Sequence, residues 1–446
     1  MPTPVTSART ASRVALPTWL TARVGGHGAG GWALRALLVA TYVCGWSALS
    51  LIHLQPTDLD RFYIPAALVA LRGNPLFIYS VSHQQAYPLA NGPLSIAPLV
   101  LALGIASVLG WLRSMALTRL VIVALYSVFP LLLAREAVRV IDRHAPEPLR
   151  GARRLLVYEV FLISLQLWQS MLYYGHVEQP MMLWLALVGV RALGEGKPRR
   201  AGALLGLALL TRTTALTIII PVALLLLAQR DWRGLRRLSG ALAGVVACGL
   251  APFALADGPD LRYSLVTFHN SVAVNGGNLW TLVSGTALAV IPQRADGIAV
   301  LLATTLATAL VLRARPDMRV TSRDFFGLLA LCSLCHPAFI NIFWPYYLLE
   351  AFTFCAIWWL GDIGALASAS RRGGWLVWAG VPVGVTLLGQ ARQFALAQQM
   401  AAPSALAPDA AMNLLTCFAL IALMAALGWR LTRHSTAAQL DTGHLR

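Results

Sequence analysis

Two acids, Asp58 and Asp60, stand in the stretch Pro56-Thr57-Asp58-Leu59-Asp60-Arg61-Phe62-Tyr63, directly after the first long apolar run, and no acid precedes them. A carboxylate at the lip of a membrane can take a proton from a hydroxyl nucleophile, and two carboxylates this close can share a divalent cation such as Mg or Mn. The same pair also reads as a helix cap and solvated charges. A second polar group, Tyr173-Tyr174-Gly175-His176-Val177-Glu178-Gln179-Pro180, lies between two apolar runs. Polar side chains are costly at membrane depth, so His176 and Glu178 read either as a pair orienting a substrate hydroxyl or as a loop in water.

Arg212 is the most informative single residue. It interrupts an apolar run at Thr211-Arg212-Thr213-Thr214. A guanidinium suits bidentate phosphate binding, the hydroxyls of Thr211 and Thr213 flank it, and the N-terminus of the following short helix adds a positive dipole end. The alternatives are an arginine that snorkels to the interface or pairs with a buried acid. In the hydrophilic stretch 257–296, His269 and Asn278-Leu279-Trp280 offer an imidazole, an amide and an aromatic face for sugar hydroxyls. His336-Pro337 and Trp344-Pro345-Tyr346-Tyr347 fall near the ends of two later apolar runs, where aromatic residues also serve as membrane-interface anchors. Glu159 and Glu350 lie inside apolar runs and need partners.

The elements that must position these groups are apolar. Of 446 residues 58% are hydrophobic and 12% charged, about half the charge of an ordinary soluble domain, so a soluble enzyme, a secreted disulfide scaffold and a disordered chain are excluded. The formal net charge of +17 needs no nucleic-acid partner, because basic residues collect on cytoplasmic loops. Clusters at 9–23, 135–154, 191–200, 230–237, 313–323, 371–372 and 430–446 mark that side, while the segments assigned to the other side hold Arg61, Arg72, Arg113, Arg262, Arg294 and Arg392. All six cysteines fall in apolar runs, and Cys332-x-x-Cys335 reads as helix packing rather than a metal or redox pair.

The run 201–229 has basic clusters at both ends and a polar break in the middle. Each half, as helix, rises only about 16–21 Å against a hydrocarbon core of about 30 Å. It is therefore expected to be a re-entrant hairpin with Arg212 at its apex, and 93–111 a helix that dips in without crossing. Residues 61–72, apolar at helical spacing with arginine at both ends, predict a helix lying in the interface. The expected architecture is an all-α polytopic membrane protein of about ten spanning helices plus re-entrant and interfacial helices. Residues 1–32 form a cytoplasmic tail, 33–430 the transmembrane domain, 54–117 the first outer loop, 257–296 a second outer loop, and 431–446 a cytoplasmic C-terminal tail.

The Thr57-Asp58-Leu59-Asp60 stretch, Tyr63 downstream, and Ala70-Leu71 with Gly73-Asn74-Pro75-Leu76 and Tyr79 together resemble the GT-C superfamily of polytopic glycosyltransferases. They are similar to its bacterial polyprenol-phosphate-mannose-dependent α-mannosyltransferases and to the first mannosyltransferase of GPI-anchor synthesis. Gly175-His176-Val177-Glu178-Gln179 resembles a G-Q-x-N/E segment at the corresponding place, though His176 and Glu178 depart from the usual Gln/Asn pair. The run 201–216 and the His336-Pro337 to Tyr346-Tyr347 element are similar to later segments. The resemblance implies a GT-C-like fold and an inverting hexosyltransferase that moves a sugar, mannose first, from a polyprenyl-phosphate donor to an outward-facing glycolipid or polysaccharide acceptor. It implies Asp58 as general base, Asp60 as its helper or a metal ligand, Arg212 with Thr211 and Thr213 on the donor phosphate, and Tyr63, His176, Glu178, Gln179, His269, Asn278, His336 and Tyr346 around the substrates. The charge pattern puts both termini in the cytoplasm and the site on the outer face, and the membrane is expected to be a bacterial plasma membrane. A lipid-linked sugar flippase, or a non-catalytic subunit of an envelope glycan assembly complex, is the alternative from another class.

Overall fold

The computed structural model describes residues 58–80, 88–144, 152–268 apart from 163, 169, 172 and 173, 277–283, 286, 290–361 and 407–442, with isolated residues between 384 and 391. The expected N-terminal tail and first spanning helix, His269 and the segment 392–406 lie outside the described residues. Every described element is helical, and none is a strand. Among the described residues four helices are long and apolar enough to cross a membrane: Met115–Arg143, Trp232–Thr267, Arg294–Ala314 and Ala411–Arg433. The chain is a membrane protein built from helices.

The first described element opens as a π-helical turn at Leu59–Tyr63 and continues as α1 (Ile64–Leu71). Gly73, at φ +92°, turns the chain out of it. Ala66 and Ala67 are fully buried and α1 packs on α2 (Ala97–Val108), so one face of α1 is packed and Tyr63 is buried at its start. At 12 residues α2 rises about 18 Å, too short to cross. It packs back on α3 (Met115–Tyr126), which runs on into α4 (Val128–His144) after a break at Ser127. Past α5 (Ala152–Leu162) and the single turn α6 (Leu165–Trp168), α7 (Gln179–Gly194) returns beside α4. Arg191 joins the buried Glu136 on α4, and Arg143 pairs with Glu195 at 2.5 Å just beyond α7.

α8 (Pro198–Thr211) and α9 (Leu216–Ala228) are the two halves of the interrupted run, and Arg212 between them is extended at φ −156°, ψ 134°. Gly194, just before α8, abuts Thr321, and Gln229, just after α9, donates to the Met318 carbonyl at 2.8 Å. Both ends therefore meet one loop, and Arg212 is the apex of a V about 21 Å deep. The halves are splayed rather than zipped together: α8 packs on α7 and on α10 (Trp232–Arg262), α9 on α11 (Val290–Ala314) and α12 (Arg323–Phe339). Asp231 caps α10 by accepting from the Gly234 N–H at 2.8 Å. The helix is interrupted at Asp257, whose Oδ1 accepts the Asp260 N–H as the chain restarts toward a second π turn at Tyr263–Thr267.

Small residues let α8 and α10 approach. A Cβ on Gly202 would stand 2.1 Å from the Leu238 carbonyl oxygen, and Gly206 and Gly249 meet Val245 and Leu210 along the same seam. Gly202→Val forces the helices apart and should cost about 1–3 kcal/mol. Gly240→Ala, inside the helix where an added Cβ meets nothing, should instead raise the unfolding temperature in detergent slightly. α13 (Leu348–Leu360) packs on α12, and α14 (Ala407–Thr442) on α11 and α12. Cys332 and Cys335 are both buried free thiols on α12, Cys332 against Thr308 at 3.3 Å.

A buried polar cluster beneath an amphiphilic cavity

The apex of the V meets the turn at 170–178 and the segment after Asp58, at the end of the molecule away from the 191–200, 230–237 and 313–323 basic clusters. Gly175, at φ +77°, lets the turn close, and the His176 N–H donates to the Ser170 carbonyl at 2.7 Å. The Asp58 N–H donates to the Tyr174 carbonyl at 3.0 Å, which ties the two segments together. These backbone bonds set Asp58 Oδ2 3.0 Å from His176 Nε2.

The other face of the imidazole is crowded. His176 Nδ1 lies 3.0 Å from Glu178 Oε1, from the Tyr63 hydroxyl and from Arg212 Nη1. Tyr63 donates to Glu178 Oε1 at 2.9 Å, and Arg212 Nη1 donates to the same oxygen at 2.6 Å. Asn91 in turn donates to the Tyr63 hydroxyl. Rings close the cluster from the far side: Tyr346 lies 4.0 Å from the His176 ring, and the Arg212 guanidinium sits 5.5 Å from the Tyr346 centroid and 5.8 Å from that of Tyr347. Glu178 is wholly buried and Arg212 is 5% exposed, whereas Asp58 is one-third exposed. The carboxylate at the edge is therefore the most exposed group of the cluster.

Burial penalises the Glu178 carboxylate, but the imidazole and guanidinium against it hold its pKa down at about 2. Burial likewise disfavours the imidazolium of His176, and Glu178 and the hydrogen bond to Asp58 outweigh it, so its pKa stands above the ordinary value. A raised folded-state pKa contributes stability that is complete below the unfolded value of about 6.5 and is lost as pH rises through the folded value. The melting-temperature gap between wild type and His176→Gln should thus narrow steadily from pH 6 to pH 9. A constant gap would show that His176 does not carry this charge.

Above the cluster opens a cavity of about 800 Å³. Asp58, Tyr63, His176, Arg212, Thr213, His336 and Tyr346 all line it, so a group scattered over nearly 300 residues of sequence converges on one space. Five sequence-selected residues do not line it. Asp60 turns away into a double hydrogen bond with Arg119, at 3.2 and 2.5 Å. Thr211 bonds back to the Leu207 carbonyl at 2.9 Å. Gln179 bridges Ser170 and the Tyr346 carbonyl, and Asn278 holds the Ile340 carbonyl at 2.7 Å, so both amides brace backbone. Glu178 lies just beneath the floor. Glu350 finds its partner in Thr214. Asn91, Arg61, Arg294, Asp296 and Tyr347 line the cavity without having been singled out as ligands from the sequence.

With Asp60 held by Arg119 and Asp58 facing His176, the two carboxylates do not fit a shared cation, and among the described residues no group of three His, Cys, Asp or Glu is placed to hold a metal. The opposite wall is apolar: Leu265, Val266 and Phe268 come from the end of the α10 span, and Ile298, Val300 and Leu301 from α11. Val266 and Ile298 are each 60% exposed on helices of membrane-spanning length, so this wall is open to a lipid environment. No family model, curated protein or solved structure matches the chain.

Proposed function

We propose that the protein is a GT-C-like membrane glycosyltransferase that moves a hexose, mannose as first choice, from a polyprenyl-phosphate donor to a glycolipid or polysaccharide acceptor. The observation that carries this reading is a reachable carboxylate, Asp58, backed by an imidazole and set in a cavity with one polar and one apolar wall. The acceptor hydroxyl gives its proton to Asp58 while its oxygen attacks the anomeric carbon. The bond from that carbon to the phosphate oxygen breaks, polyprenyl phosphate leaves, and the configuration inverts. His176 Nε2 lies 3.0 Å from Asp58 Oδ2 and orients the carboxylate, so that its other oxygen takes the proton. Cations around the cavity favour the phosphate as its charge grows, and the apolar wall accommodates the prenyl chain.

About ten crossings, the V entering from a basic cytoplasmic side and the cavity at the outer face of a bacterial plasma membrane complete the proposal. Proteoliposomes supplied with a panel of labelled polyprenyl-phosphate sugars and crude acceptor test it through release of free polyprenyl phosphate. Release from one donor names the enzyme class and the sugar together. No release from any donor, in folded protein that binds donor lipid, assigns the chain instead to lipid-linked sugar transport or to an accessory role.

A further inference from the structure

Arg212 is the cation that sequence logic gives to a phosphate, yet its charge is already spent. Nη1 donates to Glu178 at 2.6 Å, both side chains are buried, and aromatic rings cover the guanidinium. Taking it for a ligand would draw the guanidinium away from Glu178, a wholly buried carboxylate. The cavity has two other guanidiniums. Arg61 stands on the π-helical turn just after Asp58, and Arg294 on α11. Both are exposed, and among the described residues neither makes an ion pair.

Their placement is directional. Arg294, Ile298 and Leu301 follow at i, i+4 and i+7, so one face of α11 presents a cation at its start and apolar side chains further along, all lining the cavity. Arg61 has Phe62 beside it, and Phe62 meets Phe268 of the apolar wall at 6.0 Å. The cavity thus carries two exposed guanidiniums with no ion pair among the described residues, together with an apolar flank. The carboxylate nearest Arg294 in sequence, Asp296, is buried and accepts from the Gly297 and Asn341 N–H groups at 2.7 and 3.2 Å.

We infer that Arg61 and Arg294 clamp the anionic head of an amphiphilic ligand, a phosphate ester of a long apolar alcohol, and that Arg212 is an internal counter-ion and positioning residue rather than a ligand. Guanidiniums reaching a phosphate from two elements match its oxygens by paired hydrogen bonds, and the ester chain then lies along Ile298 and Leu301. Assignment of this ester to the sugar donor rests on the reading proposed above; the clamp itself does not.

Binding without turnover separates the two. Farnesyl phosphate and farnesol are titrated against the purified full chain in detergent, with tryptophan fluorescence as readout. Farnesyl phosphate should bind at least tenfold more tightly than farnesol. Arg61→Gln and Arg294→Gln should each weaken it about tenfold without changing the melting temperature, and Arg294→Lys should recover part of the loss. Equal binding of phosphate and alcohol, or unchanged binding in both variants, overturns the clamp. Displacement of farnesyl phosphate by an equal concentration of phosphatidylglycerol would make the occupant a bilayer lipid and overturn its assignment to the donor. If sugar transfer proceeds with donor KM unchanged in both glutamine variants, the clamp falls and the glycosyltransferase stands. If binding behaves as expected and no donor is turned over, the glycosyltransferase falls and the clamp stands.

Discussion

Asp58→Asn should leave insertion and farnesyl phosphate binding intact, lower the melting temperature only slightly, and lower transfer by about two to four orders of magnitude. The substitution keeps shape and hydrogen-bonding capacity but removes the basic oxygen. The backbone bond from Asp58 to Tyr174 does not involve the side chain, and the carbonyl of the substituted amide still accepts from His176 Nε2. General-base catalysis contributes about 10²–10⁴-fold, so the missing base appears in kcat rather than in donor KM. Radiolabelled sugar transfer in proteoliposomes, fitted for kcat and KM separately, checks it. Turnover within tenfold of wild type would remove Asp58 as the base. Asp60→Asn is the informative partner: it breaks the Arg119 pair, so its effect should be on stability, leaving the KM and kcat of surviving protein nearly unchanged.

That contrast between two acids two residues apart shows what the chain discloses by itself. Residue type and sequence neighbourhood make Asp58 and Asp60 equivalent, and only the fold brings Arg119, 59 residues on, to the second of them. The V of α8 and α9 was legible because three one-dimensional facts agree: basic ends, halves too short to cross and a polar break. Its splay was not, since it depends on Gly202 and Gly206 receiving α10 rather than α9. Gln179 and Asn278 advertised polarity, which a ligand or a bare carbonyl satisfies equally well; here carbonyls of the 340–346 segment take both. Arg61 and Arg294 were hidden for the opposite reason. In a count of loop charges they mark a side of the membrane, and nothing in their neighbours says that they face a cavity. The expectation for Arg212 held three readings, a phosphate ligand, an arginine snorkelling to the interface or a pair with a buried acid, and Glu178 lies against it at 2.6 Å.

Arg212→Leu should therefore destabilise the protein by about 3–5 kcal/mol, because it strands Glu178 as a buried charge. Glu178 Oε1 would keep Tyr63 and His176, but its Oε2 already has no partner, and the guanidinium is the cluster's permanent cation. Glu178→Leu leaves the opposite charge uncompensated and should cost a similar amount. Removing both ends together should cost much less than the sum of the two. A double-mutant cycle on thermal unfolding in detergent, with Glu178→Gln as the polar control, should give a coupling of about 2 kcal/mol or more. Additive losses would show that each residue acts through separate contacts, and the guanidinium would then be free for an anionic ligand. The cycle thus decides between the structural and the ligand-binding Arg212 even where no turnover can be measured. It does so through a quantity that the exposed pair Arg61 and Arg294 should not share: their single substitutions leave stability alone and change only binding. One cavity would then hold two kinds of arginine, one fixed inside the fold to keep Glu178 ionised beneath His176, the other left open to solvent to receive a charge from outside.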